Sequence, residues 1–222
     1  VYIPRTNAED RPEVLAAFMR AHPLAALVSA GPAGELWATH LPVVIDPARG
    51  PHGTIEGHVA RANPHHRLVR AAAEQAAGPR ESLVIFTGPD AYVTPAWYPG
   101  KAVHGREVPT WNYVAVHAYG PLALREDPAW LMAHLARLTD QSEAGRPAPW
   151  AVSDAPADYM AQQLNGIVGF ELAITRVEGR WKMSQNRTPE EIDGVVGGLG
   201  ASERPTDRGV AALVEARRPR RS

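Results

Sequence analysis

From Trp111 to Leu124 the chain alternates with a period of two, and both faces this creates are apolar or aromatic. Trp111, Tyr113, Ala115, His117 and Tyr119 fall on one face, and Asn112, Val114, Val116 and Ala118 on the other. A strand of this kind has to be covered on both sides. The elements around it decide how. Asp10-Arg11-Pro12-Glu13 reads as a capping box opening a short helix with Leu15, Phe18 and Met19 on its apolar face. From Leu24 the pattern is that of strands: Ala26-Leu27-Val28-Ser29 leads into the turn Gly31-Pro32-Ala33-Gly34, and Leu36 to Ile45 runs back as its hairpin partner. Thr54 to Ala60 is a third strand, Pro64 to Ala77 a helix stopped by Gly78-Pro79, and Ser82 to Phe86 a short strand.

After the long strand, Asp127-Pro128 caps a helix with Leu131, Leu135 and Leu138 on one face, and Asp154 to Leu164 is a second helix. Ile167 to Val177 is expected to turn at Glu178-Gly179 and pair back through Trp181 to Met183. Thr188-Pro189-Glu190-Glu191 opens a further helix that the glycines of 194 to 200 should end. Strands and helices do not alternate one to one, which argues against a doubly wound parallel sheet. The pattern predicts a mainly β, antiparallel barrel with flanking helices. It fills residues 1 to 200, and residues 201 to 222 form one more helix and a loose arginine-rich tail.

Composition removes several chemistries. With 222 residues and 45% apolar side chains, the chain can bury a core without covalent staples. It has no cysteine, which excludes disulfides, thiolate metal sites and thiol catalysis. Its histidines lack the H-E-x-x-H spacing, no G-x-S-x-G elbow is present, and the glycines of 194 to 200 lack the Lys-Ser/Thr of a phosphate-binding loop. No run approaches the length of a membrane span, so a cytoplasmic protein without membrane contact is the expectation. The net charge is −1, but Arg217, Arg218, Arg220 and Arg221 sit in the last six residues. The rest carries 19 cations against 24 anions, or −5, which weakens a DNA-binding reading.

Three segments carry candidate chemistry. Gly88 to Tyr113 joins two strands with four prolines and little periodicity, and such long connections are functional or disordered. Tyr92, Trp97, Tyr98 and Trp111 within it need burial or a stacking partner, so it is either a packed loop or the wall of a site for a flat ligand or a partner subunit. In Gly57-His58-Val59-Ala60-Arg61-Ala62-Asn63-Pro64 a strand gives way to a helix. There Arg61 and Asn63 either serve an anion or do no more than cap the helix and face solvent. Thr39 and His40 lie on the hairpin's second strand, on opposite faces. Lys182, Ser184, Gln185, Asn186 and Arg187 crowd a strand end, as either a grip for a polar group or an ordinary turn.

The strings ATHLP (38–42), GHVARANP (57–64), YVTPAWYPGKAVHGREVPTWNYVAVHAYG (92–120) and IVGFELAITRVEGRWKMSQNR (167–187) resemble the PaiB family. These are FMN-binding split-barrel proteins labelled negative transcriptional regulators. The resemblance runs from Tyr2-Ile3-Pro4 to about residue 200. It implies a six-stranded antiparallel split barrel that forms a homodimer, with FMN in a groove between the subunits. By position, Arg61 and Asn63 are the phosphate candidates, and Lys182, Gln185, Asn186 and Arg187 a second polar set. Thr39, His40 and His58 fall among the candidate cofactor-binding residues, and Thr110 and Trp111 are placed to approach the ring. The implied role is flavin-dependent redox or sensing. One alternative is a transcriptional repressor acting through DNA or a partner. Another is a haem-binding barrel with His40, His58, His66 or His117 as axial ligand.

Overall fold

A computed structural model describes residues 1–219, so Arg220 and Arg221 lie outside the described residues. The strands are β1 (Ala8–Glu9), β2 (Leu24–Ala30), β3 (Leu36–Asp46), β4 (Thr54–Ala60), β5 (Glu81–Val93), β6 (Thr110–Arg125), β7 (Ile167–Ala173) and β8 (Arg176–Lys182). The α-helices are α1 (Pro12–Ala21), α2 (His65–Gln75), α3 (Gly100–His104), α4 (Pro128–Glu143), α5 (Ala157–Leu164), α6 (Pro189–Gly200) and α7 (Pro205–Ala216). The strand order is β1-β8-β6-β5-β2-β3-β4-β7, and β7 also pairs with β6. That last pairing closes β6, β5, β2, β3, β4 and β7 into a six-stranded ring, the antiparallel barrel expected from the sequence. None of the described helices is long and apolar enough to cross a membrane.

The chain divides into two compact units. The larger comprises Pro12–Phe86 and His117–Val177. Its interior is filled by Val43, Ile55, Val84, Phe86, Leu122, Val168, Phe170 and Leu172, all almost wholly buried. Registers such as Val43↔Gly57, Gly57↔Phe170 and Leu124↔Phe170 bring them together. The period of two that fills this interior turns Glu56 and Glu171 to the opposite face, directly across from each other. Arg49 bridges them at 2.6 Å to each, Arg137 adds 2.6 Å to Glu56, and Arg125 Nε donates to Glu171 at 2.8 Å. Arg137 and Trp130, which donates to Glu171 at 3.3 Å, tie α4 to this face.

The smaller unit comprises Val1–Arg11, Thr87–Val116 and the residues from Glu178 on. In it α6 packs on α7, and Arg217 at the end of α7 reaches Glu9 at 2.6 Å and lies over the Trp181 ring. Arg218 pairs with Asp193 and Glu215 at 2.6 and 2.8 Å. Neither arginine is part of a loose tail.

Several expectations are corrected. β5 does not stop at Phe86 but runs to Val93. Its buried positions shift phase by one residue, from Ser82, Val84 and Phe86 to Ala91 and Val93, across Gly88-Pro89-Asp90, and this shift hides the continuation. The irregular connection is therefore residues 94–109, and it carries a 3₁₀ turn at Pro95–Trp97 as well as α3. β7 and β8 are not a hairpin turning at 178–179. The break comes at Ile174-Thr175, where Ile174 N–H donates to Gly53 O and Thr175 N–H to Tyr119 O. The strands then pair elsewhere, β7 with β4 and β6, and β8 with β1.

The glycines of 194–200 continue α6 instead of ending it. A Cβ at Gly194 would lie 2.0 Å from Trp97 O and one at Gly198 2.2 Å from Trp97 Cε2, so the helix gives up side chains to admit the tryptophan. In α4 it is His134 that joins Leu131 in full burial, while Leu135 and Leu138 are half-buried. On β6 the face of Asn112, Val114, Val116 and Ala118 is buried as expected, but the aromatic face is covered only in part: Ala115 is buried, Tyr113, His117 and Tyr119 are half-buried, and Trp111 is 48% exposed.

Candidate functional site

In the larger unit, the start of α2 meets the middle of β3. Asn63 Oδ1 accepts from His65 N–H at 3.0 Å, which satisfies one of the free amides of a helix start. Its amide Nδ2 donates to Thr39 Oγ1 at 3.2 Å, and Thr39 Oγ1 lies 2.8 Å from His65 Nδ1. His65 is 1% exposed, and its Nε2 has no partner. Burial, with His66 adjacent, lowers its pKa to about 4, so the ring is neutral at neutral pH.

Arg61 stands two residues before Asn63, but its side chain already has partners. Nε donates to Asn165 O at 2.8 Å, Nη1 to Glu126 at 2.8 Å and Nη2 to Ile167 O at 3.0 Å. Two of its five N–H donors remain for a ligand, so it is neither the solvated side chain nor the wholly free cation that the sequence allowed. His40 is exposed on β3. His66 is buried, with Nε2 3.0 Å from Arg61 O.

His58 belongs to a different arrangement on the outer face of β4. Its Nδ1 lies 3.0 Å from Nε2 of the fully buried His134, whose ring stacks on Trp130. His134 Nδ1 faces Glu56 at 3.8 Å, beyond hydrogen-bond reach. Burial and then the His134 ring lower the His58 pKa to about 4. Burial works against the charged form of Glu56, but the facing His134 edge and the Arg137 and Arg49 guanidiniums outweigh it and leave its pKa at about 2.

In the smaller unit, Lys182 Nζ donates to Thr110 Oγ1 and, at 2.7 Å, to Trp111 O. Burial, then Arg180 and Arg187, lowers the pKa of this amine. Trp111 meets Tyr92 edge to face, with centroids 5.8 Å apart, and both rings are close to half exposed. Of Tyr92, Trp97, Tyr98 and Trp111, these two offer open surface. Trp97 fills the α6 notch, and Tyr98 is buried beneath Arg187, 4.2 Å from its ring centroid.

Three of the second polar set do not gather around Lys182 as a grip. Gln185 folds onto its own turn, donating to Trp181 O at 2.5 Å and accepting from Met183 N–H at 2.7 Å. Arg187 is held by Glu107 and Glu191 at 2.9 and 3.1 Å, and Asn186 is exposed. Ser184 takes a left-handed conformation at φ 60° and bonds the buried Asn112. Sequence reasoning missed His65, His134 and the two buried glutamates, because, apart from Arg49 beside Glu56, the hydrogen-bond partners of their side chains lie 26 to 122 residues away.

A family model described as "Putative FMN-binding domain" matches residues 1–176. An uncharacterized protein of Aspergillus fumigatus is 32% identical over 254 aligned residues, covering 98% of this chain and 97% of that protein. The Bacillus subtilis "Protease synthase and sporulation protein PAI 2" is 31% identical over 219 residues, 97% of each chain. Among solved structures, the FAD and haem binding protein of Mycobacterium smegmatis gives a TM-score of 0.57 at 15% identity, over 92% of this chain and 97% of that one. The flavocytochrome Anf3 of Azotobacter vinelandii gives 0.55 at 17% identity, over 84% and 73%. At such identities the structural likeness concerns the fold, a split barrel. With the family model spanning most of the chain and the Bacillus relative aligned almost end to end, the chain belongs to the PaiB family of FMN-binding-domain proteins.

Proposed function

We propose that this protein binds flavin mononucleotide and serves a flavin-dependent redox or sensing role as a homodimer. The observation that carries the reading is the Thr39–Asn63–His65 cluster at the start of α2. It gathers a hydroxyl whose hydrogen has no acceptor among the described residues, the Asn63 amide and a helix start. That set suits an oxyanion such as a phosphate. Independently, Tyr92 and Trp111 offer open aromatic surface of the kind on which a flat ring stacks, with the Lys182 amine beside Trp111. FMN, when bound, would supply the hydride chemistry, while the protein binds and orients it. This agrees with a sequence that carries no nucleophile elbow and no metal-ligand spacing.

The Mycobacterium and Azotobacter neighbours are named for flavin or haem, and the Bacillus relative for protease synthesis and sporulation. A repressor working directly on DNA has less support. The two described cations at the C-terminal end, Arg217 and Arg218, are already paired with carboxylates. The haem alternative rests on what the Mycobacterium and Azotobacter neighbours are named for. The test is the purified protein itself. It should be yellow or take up added FMN, lose its flavin absorbance to dithionite, and release a molecule of the mass of FMN on denaturation. A colourless protein that takes up no FMN overturns the reading.

A further inference from the structure

The hydrogen bonds around Thr39 fix the direction of its hydroxyl. Asn63 Oδ1 accepts from the backbone N–H of His65, and this sets the amide so that Nδ2 donates to Thr39 Oγ1. His65 is neutral and carries one ring proton, on Nδ1 or on Nε2. With the proton on Nε2, a buried N–H would have no acceptor, because Nε2 is enclosed and without a partner. With the proton on Nδ1, the orphan is only a lone pair, and orphaned buried donors are the rarer and costlier of the two. The proton therefore sits on Nδ1 and points at Thr39 Oγ1, 2.8 Å away. Both acceptor positions of the hydroxyl are then filled, by Asn63 and His65, and its own hydrogen is left to donate elsewhere. Thr39 is half-buried on β3, and among the described residues nothing accepts that hydrogen.

We propose that Thr39 is a dedicated hydrogen-bond donor to the phosphate of the bound nucleotide, and that His65 is the positioning residue that holds it in that role. The inference rests on the flavin reading above. An oxyanion is the acceptor that a donor-only hydroxyl and the positive end of α2 beside it favour together.

The test compares FMN with riboflavin, which has the same ring and no phosphate, by quenching of flavin fluorescence on the intact protein. The wild-type chain should prefer FMN. Thr39→Val should weaken FMN by about ten- to a hundredfold, the usual worth of a hydrogen bond to a charged group, and leave riboflavin unchanged. Thr39→Ser should keep the preference. His65→Asn, whose amide can stand where Nδ1 stands, should keep it too, whereas His65→Leu should lose it as Thr39→Val does. A general loss of folding would weaken both ligands by the same factor, and that outcome overturns the proposal, as does a Thr39→Val or His65→Leu protein with the wild-type preference. A wild-type chain that binds FMN and riboflavin equally also overturns it while leaving the flavin reading intact. Binding of neither overturns that reading, and this inference falls with it.

Discussion

Phe170 occupies the space that a side chain at position 57 would need. A Cβ there would lie 2.5 Å from Phe170 Cζ and 3.2 Å from Leu41 Cδ1, and Phe170 is 1% exposed with nowhere to retreat. Gly57 is thus required by close approach across the β4–β7 pair. Gly57→Ala should cost about 1–3 kcal/mol, the range for overpacking a filled core. Urea unfolding should show a lower midpoint at an unchanged slope. Adding Phe170→Leu should return part of the loss, and strictly additive effects would sink this account. The same scale shows what the sequence could disclose about the site. Asn63 beside a helix start and Thr39 on a strand are visible as residue types. The role of His65 is not, because it exists only once β3 delivers Thr39 to it. Arg61 likewise read as free because its partners, Glu126, Asn165 and Ile167, lie 65 to 106 residues away.

At the scale of elements, strands and helices with clean periodicity were legible. The hairpin of β2 and β3, β4, the long β6 and the caps of α4 and α6 fall where alternation and Asp/Thr-Pro signals put them. Legibility failed where tertiary packing overrode a local rule. Glycine normally weakens a helix interior, yet α6 runs through four of them because two make room for Trp97. This gives neighbouring positions opposite signs. Gly197→Ala, with open space around its Cβ, should stabilise the protein by about 0.5–1 kcal/mol through helix propensity. Gly198→Ala should destabilise it despite the same propensity gain, since its Cβ meets the Trp97 ring. Thermal melts of the two variants moving in the same direction would refute this packing. The β7–β8 junction failed for a related reason: hydrogen bonds to Gly53 and Tyr119, invisible in the local sequence, decide where the chain breaks.

Across the whole molecule, buried titratable groups make acid the main threat. His58 and His65 have folded pKa values near 4, below the 6.5 of a free imidazole. In that interval the unfolded chain binds more protons, so their contribution is complete above pH ~6.5 and lost as pH falls towards 4. Each is worth on the order of 2–3 kcal/mol by this reasoning. Glu9, held to about 2 by Arg11 and Arg217 against its burial, and Glu56, also about 2, add a second loss as pH falls from ~4.5 towards 2. Tm against pH should therefore descend in two stages. His65→Asn should shrink the upper stage and Glu56→Gln the lower. A Tm unchanged between pH 7 and 4.5 would contradict the buried, neutral histidines.

One guanidinium joins the two extremes of the sequence: Arg217 meets the enclosed Glu9 carboxylate while lying on Trp181. A chain shortened to end at Ala216 would take one of its two guanidiniums from that carboxylate and the same cation from the indole. The closing residues are therefore a clasp that any expression or truncation scheme has to preserve.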